Sequence, residues 1–259
     1  MTNSMSQSKV DRLTAELSSP EAFDRFDTAT IIGTHQVAEA ADALVARLGT
    51  ESDCQVRERV TWATVRVIDA ALPGVLKQLT DGDDLARKQA AHVLSKAGRP
   101  EFADLLGDVV NDPNPDVAVK GYRAAAQTGN PVVLPLLAGR LGHGDALQKD
   151  QLTNALLAFG PEAVDVLVEG LDHADADVRA HAAESLGYFG ADADAALDAL
   201  VAATRDEEFS VRTVAVSSLG QLGEVADEAL AGVAAGEEPL LAAAATSLQQ
   251  RRAAQRQND

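Results

Sequence analysis

The chain has 259 residues, of which 46% are hydrophobic and only 3% aromatic, and it carries a formal net charge of −18. Its core must therefore be built from Ala, Leu and Val, which suits closely packed helices. A uniform charge of this sign would repel nucleic acid and anionic membranes. A single cysteine, Cys54, excludes an intrachain disulfide and a cysteine-based metal site. The opening "MTNSMSQSKVDR" has no apolar h-region, and no apolar run approaches the ~20 residues that span a bilayer. A soluble cytoplasmic protein is expected.

In chain order, residues 1–8 are polar and predict a disordered N-terminus. "SPEAFDRFDTATIIG" (19–33) then reads as a degenerate helical copy of a pattern that becomes clear downstream. "AEAADALVARL" (38–48) is amphipathic by its 3–4 spacing, and "ESDCQVRERVTWATVRVI" (51–68) follows it. The alternation continues. First-type segments lie at 71–79, 102–110, 131–141, 163–171 and 194–204. Second-type segments end in glycine: "DGDDLARKQAAHVLSKAG" (81–98), "DPNPDVAVKGYRAAAQTG" (112–129), "HGDALQKDQLTNALLAFG" (143–160), "HADADVRAHAAESLGYFG" (173–190) and "DEEFSVRTVAVSSLGQLG" (206–223). The closing glycines recur every 30 to 33 residues. A last copy spans 237–252, and 253–259 predict a disordered C-terminus. In each second-type segment an Asp or Pro cluster supplies an N-cap, and the glycine suits a left-handed C′ position. Val178, Ala182, Ser185 and Leu186 form an inward stripe, repeated by Val211, Ala215, Ser218 and Leu219. Nothing reads as a strand.

A helix–turn–helix unit of about 30 residues cannot bury its own apolar face, so about eight units stack. The pattern D-x-x-V-R-x-x-A-x-x-x-L-G-x-x-G resembles HEAT-like repeats, in the short form named after the phycobilisome lyases. The resemblance implies an all-α fold, a right-handed α-α superhelical solenoid, over a single domain at 9–252. It also implies that the second helix of each pair lines a concave surface. Acid–base pairs four residues apart (Asp53/Arg57, Asp83/Arg87, Asp145/Lys149, Asp175/Arg179, Glu208/Arg212) are expected to form the ladder that links neighbouring units in that family.

With stripe and ladder set aside, the outward residues of the second helices are the candidate site. Residues 55–123 balance ten bases against ten acids, whereas 124–250 hold five bases and twenty acids. The bases of the first window fall largely on second helices, which predicts a local basic stripe of Arg59, Arg66, Lys88, Lys96, Lys120 and Arg123, with Trp62 and His92 among them. His181, Glu184 and Tyr188 are the equivalent outward residues of a later copy. Such a surface predicts a non-catalytic scaffold or adaptor that grips a protein or peptide bearing an anionic segment, phosphorylated or not. Nucleic acid is disfavoured by the surrounding like-signed field. The resemblance adds one alternative, a chaperone-like or lyase subunit acting on a cofactor-bearing partner. Helical-repeat DNA glycosylases share the architecture but need a broadly basic groove with several aromatics. No metal, cofactor or catalytic residue is expected: no two histidines have H-x-x-x-H spacing, Cys54 has no base nearby in sequence, and phosphate-binding glycine motifs are absent.

Overall fold

A computed structural model describes residues 5–256, and among these there is no strand. The chain divides at Asn130/Pro131 into two compact units. The first holds α1 (Gln7–Glu16), α2 (Ala22–His35), α3 (Ala41–Leu48), α4 (Cys54–Arg66), α5 (Ile68–Asp81), α6 (Asp84–Ala97), α7 (Gly107–Val110) and α8 (Pro115–Thr128). The second holds α9 (Leu134–Ala138), α10 (Ala146–Leu157), α11 (Val164–Gly170), α12 (Ala176–Phe189), α13 (Leu197–Ala203), α14 (Phe209–Leu219), α15 (Asp227–Ala234) and α16 (Pro239–Arg256). Even-numbered helices are the second members of their pairs. In the first unit α2, α4, α6 and α8 pack side by side in one layer, and α3, α5 and α7 form the other. In the second unit α12, α14 and α16 pack likewise, with α10 against α12.

The helix ends follow from their capping chemistry. Asp53, Asp83, Asn114, Asp145 and Asp175 each accept a hydrogen bond from a first-turn N–H of the helix that follows. Asp145 and Gln148 complete a reciprocal capping box. Gly98, Gly129, Gly160 and Gly190 adopt positive φ beyond their helices, as the spacing predicts. Gly223 does not: α14 stops at Leu219 and Gly223 is extended. Gly33, the end of the degenerate first copy, lies inside α2, which runs on to His35 and closes on Gln36 in the left-handed region. Several first helices are short and enter through 3-10 turns, such as Pro100–Leu105 before α7 and Gly190–Ala196 before α13.

The termini also differ from expectation. Helix covers residues 7–8 and 253–256, where disorder is predicted. In α1 the buried Val10 and Leu13 provide the apolar anchor, and Arg252 and Arg256 tie the end of α16 to Asp227. Residues 1–4 and 257–259, also predicted disordered, lie outside the described residues.

The core is made of small aliphatic side chains. Ala90, Val93 and Leu94 of α6 and Ala182 and Leu186 of α12 are buried, as are the predicted stripe residues Val178 and Ser185. Fully burying a leucine contributes roughly 2 kcal/mol, and the stack repeats that contribution at every layer.

The ladder is real, but its partners are not those four residues apart. Asp53, Asp83, Asp145 and Asp175 are spent on capping. The arginines instead reach carboxylates 25 to 27 residues ahead: Arg25 to Glu51, Arg87 to Asp112, Arg179 to Asp206 and Arg212 to Glu238. The first three pairs are two-pronged, for example Arg179 Nε to Asp206 Oδ2 at 2.7 Å and Nη2 to Oδ1 at 2.8 Å. Each of these arginines also donates Nη1 to a carbonyl five or six residues behind it. Glu51, Asp112 and Asp206 accept in addition from the backbone N–H two residues on. One guanidinium thus pins its own inter-helix turn to the next one.

Candidate functional site

The residues of the predicted basic stripe lie on α4, α6 and α8, all in the first unit; Trp62, Arg66, Lys96 and Arg123 are exposed, and Arg59, Lys88, His92 and Lys120 are half-buried. At one end Arg59 places its guanidinium 4.6 Å from the Phe26 ring centre and 5.2 Å from that of Trp62. Cation–π attraction holds this cluster together. Trp62 rests on α2 at Gly33, where a Cβ would lie 2.3 Å from Cζ3, and keeps 38% of its surface exposed. Arg66 extends the row and directs Nε at the Gly33 carbonyl, 3.5 Å away, near the C-terminal end of α2.

The centre of the stripe is a hydrogen-bonded file across three helices. Glu58 of α4 lies 3.2 Å from His92 Nε2 of α6, and His92 Nδ1 lies 3.4 Å from Lys120 Nζ of α8. In the tautomer protonated at Nε2, His92 donates to Glu58 and accepts from Lys120. Burial pushes the His92 imidazole below its usual range, the Lys120 ammonium pushes it further, and Glu58 opposes both. Lys120 is itself lowered by burial and by the cations Arg123, Lys88 and Lys96. Lys88 is less available than its sequence position implies, because it pairs with Asp116 of α8, whose carboxyl it holds below the usual range. Lys96 is exposed with no ion pair among the described residues, and Arg123 is exposed at the α8 surface.

The predicted trio on α12 of the second unit does not hold together. Glu184 and Tyr188 are exposed, Tyr188 by 57%, but His181 is only 3% exposed. Its Nδ1 accepts from the Gly142 N–H at 3.0 Å, so its proton sits on Nε2 and is donated to Thr153 Oγ1, also at 3.0 Å. Thr153 in turn meets Ser185 Oγ at 2.9 Å. Burial pushes the His181 pKa down to about 4, so the ring is neutral near pH 7. His181 is a structural tie between α10 and α12 and not a surface residue. The three-and-four spacing failed here because the helix is buried over a wide arc, with Arg179, Ala183 and Gly187 also inside.

Two contributors escape sequence reasoning. Phe26 lies in the degenerate first copy, and nothing in its local pattern marks it as the second wall of the Arg59 site. Asp116, one of the two acids in its copy, faces Lys88 only once α6 and α8 are side by side. Among the described residues no group of three or more His, Cys, Asp or Glu could hold a metal ion, and no helix is long and apolar enough to cross a membrane.

The sequence profile of HEAT repeats matches residues 72–156 and 164–249, about two thirds of the chain. The chain belongs to the HEAT-repeat family. No curated protein matches it in sequence. Among solved structures, this HEAT-repeat chain is similar to Kap95p, whose binding induces the switch loops of RanGDP to adopt the GTP-bound conformation. That match has 11% identity and a TM-score of 0.53 over 92% of this chain and 44% of that one. A Kap121p mutant gives 12% identity and a TM-score of 0.51 over 92% of this chain and 33% of that one. The CpcE–CpcF complex of phycocyanin lyase from Nostoc sp. PCC7120 shares 22% identity over 86% of this chain and 92% of that one, with a TM-score of 0.42. The likenesses to Kap95p and Kap121p agree with the HEAT assignment at the level of fold, which hosts many functions.

Proposed function

We propose that this HEAT-repeat protein is a non-catalytic binding platform, and that the second-helix surface of its first unit holds an anionic segment of a partner protein. The observation that carries the reading is the concentration of cations on that surface in a chain of net charge −18. Arg59 lies over the aromatic pair Phe26 and Trp62, Arg66 follows on the same helix, and Lys120 of α8 feels the charges of Arg123, Lys88 and Lys96. Burial and the neighbouring cations depress the protonation of Lys120, and an incoming anion would oppose those cations. The part-exposed indole offers a flat apolar anchor next to them. The acidic remainder of the chain favours a short anionic segment over a long polyanion, which would meet like charge beyond the patch.

The test is binding of a fluorescent glutamate-rich peptide that also carries one leucine. The triple variant R59E/K96E/K120E is expected to lose at least about tenfold in affinity, and a lysine-rich control peptide should show no preference for this surface. Equal binding of the acidic peptide by wild type and variant would refute the reading. Retention of single-stranded oligonucleotide in preference to the peptide would replace it with a nucleic-acid function.

A further inference from the structure

A second site of opposite character lies in the other unit. We propose that α10 and α12 form a receptor for a single basic side chain, an arginine guanidinium, presented by a partner peptide. A hollow of about 250 Å³ opens between these helices, lined by Asp150, Gln151, Thr153, Asn154, Leu157 and Tyr188. Its parts divide by role. Thr153 is buried and its hydroxyl is engaged by His181 and Ser185, so the floor is fixed and, with His181 neutral, uncharged. Asp150, Asn154 and Tyr188 form no hydrogen bond or ion pair among the described residues and stand exposed around that floor.

Their chemistry selects the ligand. A tyrosine face attracts a flat cation, and guanidinium stacks on it better than a compact ammonium does. The Asp150 carboxylate and the Asn154 side-chain carbonyl are acceptors that can meet separate edges of one guanidinium. Leu157 offers apolar surface for the methylene stem. Most other charges nearby are acidic, the exception being Lys149 of α10, which also lowers the His181 pKa but does not line the hollow. Glu184, one turn before Tyr188, is exposed, and the stretch 124–250 carries twenty acids to five bases. The cations of α10 and α12 are Lys149 and Arg179, and Arg179 is committed to Asp206. A carboxylate or phosphate ligand would find no free donor cation in the lining.

The experiment is a nuclear magnetic resonance titration of the full chain with acetyl-Gly-Arg-Gly-amide, following the Asn154 side-chain amide and the Tyr188 ring. Saturable shifts of both are expected. The citrulline analogue, of the same shape but uncharged, should bind about tenfold more weakly. Asp150→Asn should weaken arginine binding about as much. Tyr188→Ala should weaken it several-fold and Tyr188→Phe should not, because the ring face and not the hydroxyl is used. The first-unit variant R59E/K96E/K120E should bind as wild type does, so failure of the acidic-segment reading leaves this outcome unaffected. Absence of saturable shifts, equal binding of arginine and citrulline, or indifference to Asp150→Asn would overturn the proposal, and equal binding of a lysine analogue would overturn its assignment to guanidinium.

Discussion

His181 and Glu51 show opposite ways in which a buried ionisable group ties stability to pH. His181 is buried neutral, and its folded pKa of about 4 lies below the ordinary 6.5. The unfolded chain therefore binds the proton first. Stability from this residue is complete above about pH 6.5 and is lost as pH falls toward 4, by up to about 3 kcal/mol. Replacing it with Phe should remove that pH dependence and leave the Gly142 N–H and Thr153 hydroxyl without their partner, at a cost of about 2 kcal/mol in urea unfolding at pH 7.5. Glu51 is fully buried. Burial alone would raise its carboxyl, but hydrogen bonds from Arg25, Arg47 and the Asp53 N–H outweigh burial and hold it at about 2. Its contribution is present above the ordinary value of 4.5 and is lost as pH falls through 2. Glu51→Gln would strand the buried Arg25 guanidinium, and a loss of about 3 kcal/mol or more in chemical denaturation is expected.

At the scale of the element, the N-caps are independent and small. Asp175→Ala should cost about 1 kcal/mol in thermal or urea unfolding, without altering any cross-repeat ion pair, since Arg179 pairs with Asp206 and not with Asp175. The α2–α4 contact is less forgiving. Gly33→Ala gains about 1 kcal/mol of helix propensity, but the new methyl would meet the Trp62 ring, and overpacking costs typically 1–3 kcal/mol. Net destabilisation is expected, with a red shift in the fluorescence of this sole tryptophan as the ring is pushed outward. The same displacement should loosen Arg59 and weaken the acidic-peptide binding proposed above.

At the scale of the whole molecule, charge is segregated along the chain. The stretch 55–123 is balanced, and 124–250 carries a net charge of −15. If the cationic surface of the first unit grips an anionic segment, affinity should fall at least about tenfold between roughly 0.05 and 0.5 M salt, because the screening length drops several-fold over that range. An affinity independent of salt would point to the aromatic cluster as the main contact.

The sequence by itself determined that the chain is helical, that its unit recurs every 30 or so residues, where most of the second-helix N-caps sit, and that cations gather on the second helices before residue 124. All of these depend on local spacing and composition, which a helix expresses at fixed intervals. Only the tertiary structure decided which groups meet across repeats. The arginine at one turn and the carboxylate 25 to 27 residues later are distant in sequence and adjacent only after stacking. Pairs four residues apart look better on paper, yet in four of the five the acid is committed to backbone N–H groups at its own helix start, Glu208 being the exception. His181 changed from candidate binding-surface residue to buried tie for the same reason. Helix periodicity orders residues around an axis, but how wide an arc is buried depends on what packs against it.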